Sequence, residues 1–159
     1  MAALELPVPQ GVIIPVDTGN KWMAYTQKGT MPAKINRQKL LTAAVNKTMS
    51  TLKQINNKGR IPLVSVRSGA RISMPGMMDT VLNIGIHIDN VESWVPYLGE
   101  RTAWDCLRRF HQMYGEVVLG IDAEVFTKLL NAIKSDCNCE YDSEIPTAFL
   151  QRLCQLQIS

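Results

Sequence analysis

The chain has 159 residues, 46% of them apolar and 19% charged, which is one domain's length with enough apolar material for a core and excludes a disordered or low-complexity polypeptide. No apolar run approaches the ~20 residues that cross a bilayer, and the first residues lack a basic stretch followed by an apolar one, so neither a membrane span nor a secretory leader is expected and the expected address is cytoplasmic. The net charge of +3 conceals an uneven distribution: eleven Lys or Arg and no acid lie between residues 18 and 78, then twelve acids and six basic residues from Asp79 onward. Such a split indicates an anionic partner for the basic half, or two halves that face each other, or only lysines that solvate one helix.

In chain order, the two prolines and Gly11 of LPVPQG predict a rigid turn. Val12-Ile13-Ile14-Pro15-Val16 follows as a short apolar run and reads as an edge strand. Asp17-Thr18-Gly19-Asn20 then caps a short helix that carries Trp22, Met23 and Tyr25. Residues 27–33 read as loop. A helix is predicted over 36–55, capped by Asn36, with Leu41, Val45, Thr48, Leu52 and Ile55 on one apolar face. Residues 61–66 predict a buried strand that delivers Arg67. Ser68-Gly69-Ala70 allows a tight turn, Arg71-Ile72-Ser73 a second short strand, and residues 74–78 a loop closed by Asp79-Thr80 as a helix cap. Helices are predicted over 102–114 (burying Ala103, Leu107, Phe110 and Met113 or Tyr114), over 123–134 (Val125, Leu129, Ile133) and from Pro146 (Phe149, Leu150, Leu153, Leu156). The expected fold class is α+β or α/β: a small mixed sheet holding the Val12 and Val64 strands, packed by the 36–55 helix, with a helical subdomain after residue 86.

The chemistry concentrates in VSVRSGARISMPGMMDTVLNIG, residues 64–85. An arginine at a strand end, a glycine turn and a glycine-bearing loop suit a polyphosphate. Arg67 can donate a bidentate pair of charge-assisted hydrogen bonds, and backbone N–H groups beside glycines can approach an anion closely. The spacing is neither a Walker A loop nor a G-x-G-x-x-G fingerprint. The plainer alternative is that Arg67 or Arg71 pairs with an internal acid such as Asp79 and the glycines only make turns. Cys106, Cys137, Cys139 and Cys154 read as free thiols, and with only His87 and His111 to help them no metal site is expected. Both histidines read as ordinary surface or half-buried side chains.

The 64–85 run closely resembles the signature of the pyruvate, phosphate dikinase family. LELPVPQGVIIP resembles that family's G-L-P-V-P-P-G-F-x-I segment, and RRFHQMYGEVVLGID at 108–122 resembles its R-R-F-I-Q-M-[FY]-G-x-V-V segment. The resemblance implies the first lobe of an ATP-grasp nucleotide-binding domain over residues 1–86 and its helical insert over 87–159. It implies that Arg67 contacts the transferred phosphate of ATP. It further implies that Ser73, Met74, Pro75, Gly76 and Met77 form the small glycine loop over the phosphates, with Arg71 and Asp79 as further candidates. ATP with Mg²⁺ is the ligand so implied, although no cofactor is expected to be required. The family's glycine-lysine segment precedes the L-P-V-P-P-G turn. Its second ATP-grasp lobe, phosphohistidine domain and pyruvate-binding barrel follow the insert.

Three functions follow as expectations. The first is a truncated pseudoenzyme: a non-catalytic interaction or regulatory protein, such as a phage-encoded decoy or inhibitor in the host cytoplasm, with residual phosphate affinity and a host protein as partner. The second is a subunit of a split dikinase that needs a complementing lobe. The third is a nucleic-acid-binding module using the basic half; it is disfavoured because only Trp22 and Tyr25 are at hand there for stacking.

Overall fold

The computed structural model describes residues 11–28, 31–55, 63–68 and 79–158. The chain divides into two compact units, Met1–Pro62 and Leu63–Ser159.

The first unit is a pair of packed helices, α1 (Val16–Lys28) and α2 (Met31–Ile55). Residues 11–15 form no strand. Pro15 has no N–H to give a ladder, and its carbonyl accepts from Thr18 N at 2.9 Å, so the run turns directly into α1. Asp17 in the first turn complements the helix dipole. Residues 27–33 are not one loop, because α1 continues through Lys28 and α2 begins at Met31. Pro32 falls in the first turn of α2, where a missing N–H breaks no bond, and so Asn36 lies inside the helix and does not cap it. The face of α2 turned inward is also rotated from the expected one. Ala33 is buried and Arg37, Leu40, Ala44 and Thr48 are half-buried, whereas Leu41 and Val45 are 47% and 48% exposed. The partner of α2 is α1: Trp22 lines a small pocket together with Leu40, Leu41 and Ala44, and the Arg37 guanidinium stands 5.6 Å from the Trp22 ring centroid.

The second unit holds an antiparallel hairpin, β1 (Val64–Arg67) and β2 (Thr80–Ile84), then α3 (Val95–Leu98) behind a 3₁₀ turn, α4 (Glu100–Val117), α5 (Ala123–Asp136) and α6 (Thr147–Leu156). Thr80 therefore opens a strand and does not cap a helix. Its β-branched and apolar neighbours pair with β1: Arg67 opposite Thr80, Val66 opposite Val81, Val64 opposite Ile84. One extra residue in β2 makes a bulge, with Asn83 at φ 58°. Asn83 tolerates that conformation and its Nδ2 donates to Cys106 O of α4 at 3.2 Å.

The core of this unit is one cluster: Ile86 and Val91 after β2, Ala103 and Leu107 of α4, Ile133 of α5, Ile145, and Leu150 and Leu153 of α6. The three late helices thus form where the apolar spacing places them. Two positions are decided by the structure: Phe126, not Val125, is buried on α5, and of the Met113 and Tyr114 alternatives on α4 Met113 is the half-buried one and Tyr114 is exposed. Gly115 explains the first. A Cβ there would lie 2.3 Å from Phe126 Cζ, so the absent side chain is the space the ring occupies. Asp122 caps α5 by accepting from Glu124 N at 2.9 Å. At its other end, Cys139 N donates to Lys134 O at 2.9 Å and Asn138 N to Ser135 O at 3.2 Å. With Asn138 at φ 54° this is a Schellman ending built on asparagine instead of glycine.

Candidate functional site

Arg67 ends β1, and the ladder closes one residue beyond it, where Ser68 N donates to Asp79 O at 3.0 Å. These two bonded ends are the points from which 69–78 departs. Arg71, Ser73, Met74, Pro75, Gly76 and Met77 lie outside the described residues. Arg67 is exposed, and among the described residues no ion pair includes Arg67 or Asp79. Arg67 thus forms no ion pair with Asp79, and the alternative pairing through Arg71 lies outside the described residues.

The other side of the hairpin rests on α4. Leu82 of β2, Arg108, Arg109, Gln112 and Met113 of α4, Leu130 of α5 and Asp142 line a groove of about 390 Å³. Its floor is a polar network that sequence reasoning met only as part of a resemblance. Arg108 is 3% exposed. Its Nε donates to Asp105 Oδ1 at 2.9 Å, its Nη1 to Gln112 Oε1 at 3.4 Å, and its Nη2 stands 3.7 Å from Asp142 Oδ2. Asp105 is shared with Arg109 at 2.8 Å, and Asp142 with Lys134 at 3.2 Å. Gln112 passes the chain on to Glu116 at 3.0 Å. Arg101 donates to Ile145 O at 3.1 Å and to Asp142 O. Asp105, Arg108, Arg109 and Gln112 share one helix face at three- and four-residue steps, and that signal was available in the sequence. The partner Asp142 was not, because it arrives from a loop beyond α5.

The remaining titratable groups lie apart from the hairpin end. His111 is half-buried in α4 and its Nδ1 is buried without a hydrogen bond. Burial lowers its pKa, opposed in part by the Gln157 side chain. His87 follows β2, exposed, with Nδ1 3.4 Å from Asp89 Oδ2. Cys154 is buried and its thiol is pushed up to about 12 by desolvation. Cys106 is raised by burial and then by Asp105. Cys137 and Cys139 lie side by side at the end of α5, Sγ to Sγ 2.7 Å. Among the described residues no three His, Cys, Asp or Glu side chains gather where they would hold a metal ion, and no helix is long and apolar enough to cross a membrane.

The described fold is thus α+β, and in its second unit an arginine-bearing hairpin packs on α4 while a buried arginine ties α4 to the loop of Asp142. No family model matches the chain. Among curated proteins it is 41% identical over 146 residues to a pyruvate, phosphate dikinase of Rhizobium meliloti, a match covering 91% of this chain and 16% of that protein. It is 38% identical over 158 residues to the enzyme of Giardia intestinalis (98% and 17%), and 34% identical over 161 residues to that of Clostridium symbiosum (98% and 18%). The chain is homologous to one portion of pyruvate, phosphate dikinase, and it spans about one-sixth of the length of these relatives.

Proposed function

We propose that the chain is a phosphate-contacting lobe of dikinase type, with residues 1–86 as the ATP-grasp-like sublobe and 87–159 as its helical subdomain. Arg67 is the residue assigned to the transferred phosphate of ATP. The observation that carries this reading is the placement of Arg67: last in a bonded strand, exposed, outside every ion pair among the described residues, and inside a segment that matches relatives named as dikinases. Arg71 and the loop of Ser73, Met74, Pro75, Gly76 and Met77 complete the anion site in this reading. Asp79, whose backbone closes the hairpin, sets where that loop leaves it.

Phosphoryl transfer consists largely of positioning and of charge neutralisation by metal ions and cations. One arginine and one loop supply a small part of both. The 159-residue polypeptide by itself is therefore read as a weak binder of Mg·ATP that turns nothing over, and its role as a non-catalytic interaction or regulatory protein. Exposed Val117, Val118, Leu119 and Ile121, close together in the chain at the end of α4, are the apolar side chains a protein partner would cover. A decoy that engages a host protein and a lobe completed by a second polypeptide are the two forms such contact can take.

Calorimetric titration with Mg·ATP tests the reading. The expected result is weak, millimolar-range binding by the wild type that Arg67→Ala removes. Equal binding by wild type and variant would overturn the assignment of Arg67, and release of phosphate at enzymatic rates by the isolated polypeptide would overturn the non-catalytic reading.

A further inference from the structure

The pair at the end of α5 carries a second kind of chemistry. We propose that Cys137 and Cys139 form a reversible dithiol–disulfide site, oxidised by a low-molecular-weight disulfide of the glutathione class. The Schellman ending positions them: Asn138, in the left-handed region, turns the chain so that the residues on either side of it direct their sulfurs together. At 2.7 Å the sulfurs are inside the distance of two non-bonded atoms and not far from the ~2.05 Å of a disulfide. The same number argues against a metal, since a tetrahedral zinc with sulfurs at ~2.3 Å holds them ~3.8 Å apart. Both thiols are half-buried, open to a small reagent, whereas Cys154 is buried.

The chemistry balances in two exchanges. The Cys137 thiolate attacks one sulfur of the small disulfide, whose S–S bond breaks and releases one small thiolate. The Cys139 thiolate then attacks Cys137 Sγ, displacing the second. The two protons given up by the cysteines are taken up by the two released thiolates. The protein pair is oxidised by two electrons and the reagent reduced by two. Cys137 goes first because the Cys139 thiol is held up to about 11, its contact with Cys137 being the largest cause and burial the next, so Cys139 ionises less readily. A ring closed across three residues constrains the unfolded chain little, so the bond adds little stability and is readily reversed. Oxidation also removes the S–H contact from Cys139 to Glu144 O at 3.6 Å, in the loop that carries Asp142 to Arg108.

The test equilibrates the full chain in buffers of graded reduced and oxidised glutathione, quenches with acid, alkylates, and maps peptides by mass. The expected product is a peptide holding both cysteines and lacking two hydrogens, restored by excess reduced glutathione. Cys139→Ser and Cys137→Ser are each expected to stop at a single glutathione adduct on the cysteine that remains. The proposal falls if the wild type accumulates adducts on both cysteines, or links either one to Cys106 or Cys154. It falls equally if the wild-type pair stays reduced in buffers where both serine variants carry the adduct.

Discussion

Replacing Arg108 by methionine tests whether the α4 network holds the second unit together. Methionine keeps most of the aliphatic stem and removes only the guanidinium. Stripping one partner from a buried ion pair costs ~3–5 kcal/mol when the other charge is left alone. Here neither carboxylate is left alone: Asp105 keeps Arg109 at 2.8 Å and Asp142 keeps Lys134 at 3.2 Å. The loss should therefore fall below that range, at ~2–3 kcal/mol. For a unit of under a hundred residues each kcal/mol shifts the melting temperature by ~4–8 °C, so Arg108→Met should lower it by ~10–20 °C. Thermal unfolding followed by circular dichroism reads this directly, and the shift should persist in high salt because buried pairs are poorly screened. Arg109→Met is the control. That side chain is 53% exposed, and its pair with Asp105 should be worth ~0–1 kcal/mol. If Arg108→Met costs no more than Arg109→Met, the buried arginine is not what holds the loop to α4, and the reasoning fails.

Two further outcomes are expected. Gly115→Ala places a Cβ 2.3 Å from Phe126 Cζ, so despite alanine's better helix propensity the variant should lose ~1–3 kcal/mol in chemical denaturation, with Phe126→Leu restoring part of it; a stabilised variant would show the ring is not confined there. His111 has a folded-state pKa below its ordinary 6.5 because it is buried. The unfolded chain therefore binds the proton more readily, and the stability this histidine contributes is present above pH 6.5 and declines as pH falls toward the depressed folded value. Denaturation midpoints across pH 8 to 5 should decline less in His111→Gln, and an unchanged profile would remove the burial argument.

The acidic half was legible in the sequence because its helices bury apolar faces against one another and so follow their own periodicity. The existence of α4, α5 and α6 and the burial of Ala103, Leu107, Ile133, Leu150 and Leu153 follow from spacing alone. Where the reading fails, a neighbour decides. Phe126 displaces Val125 because Gly115 on another helix opens a space for its ring. Leu40 and Ala44 replace Leu41 and Val45 as the more buried positions of α2, whose packing partner is α1. Val12–Val16 and Thr80 were read by residue type, strand former and helix cap respectively, while hydrogen-bond partners determine both: Pro15 starts a helix and Thr80 faces Arg67 across a ladder. Arg67 itself was legible as the end of a strand. Asp142 was invisible, because nothing local says which helix a loop carboxylate will meet.

The position of Arg67 depends on residues far from it in sequence. β1 pairs with β2, and β2 is the strand that packs on α4. The bulge at Asn83 is tied to Cys106 O, and Leu82 shares a groove with Arg108 and Arg109. Arg108 in turn is held by Asp105 of its own helix and Asp142 from beyond α5. An arginine that must meet a phosphate within hydrogen-bonding distance tolerates little displacement. Selection on Arg67 would therefore act on the hairpin, on α4 and on the loop that locks α4. Within Leu63–Ser159 the proposed role of Arg67 thus accords with similarity to the dikinases that is not confined to the segment around the arginine.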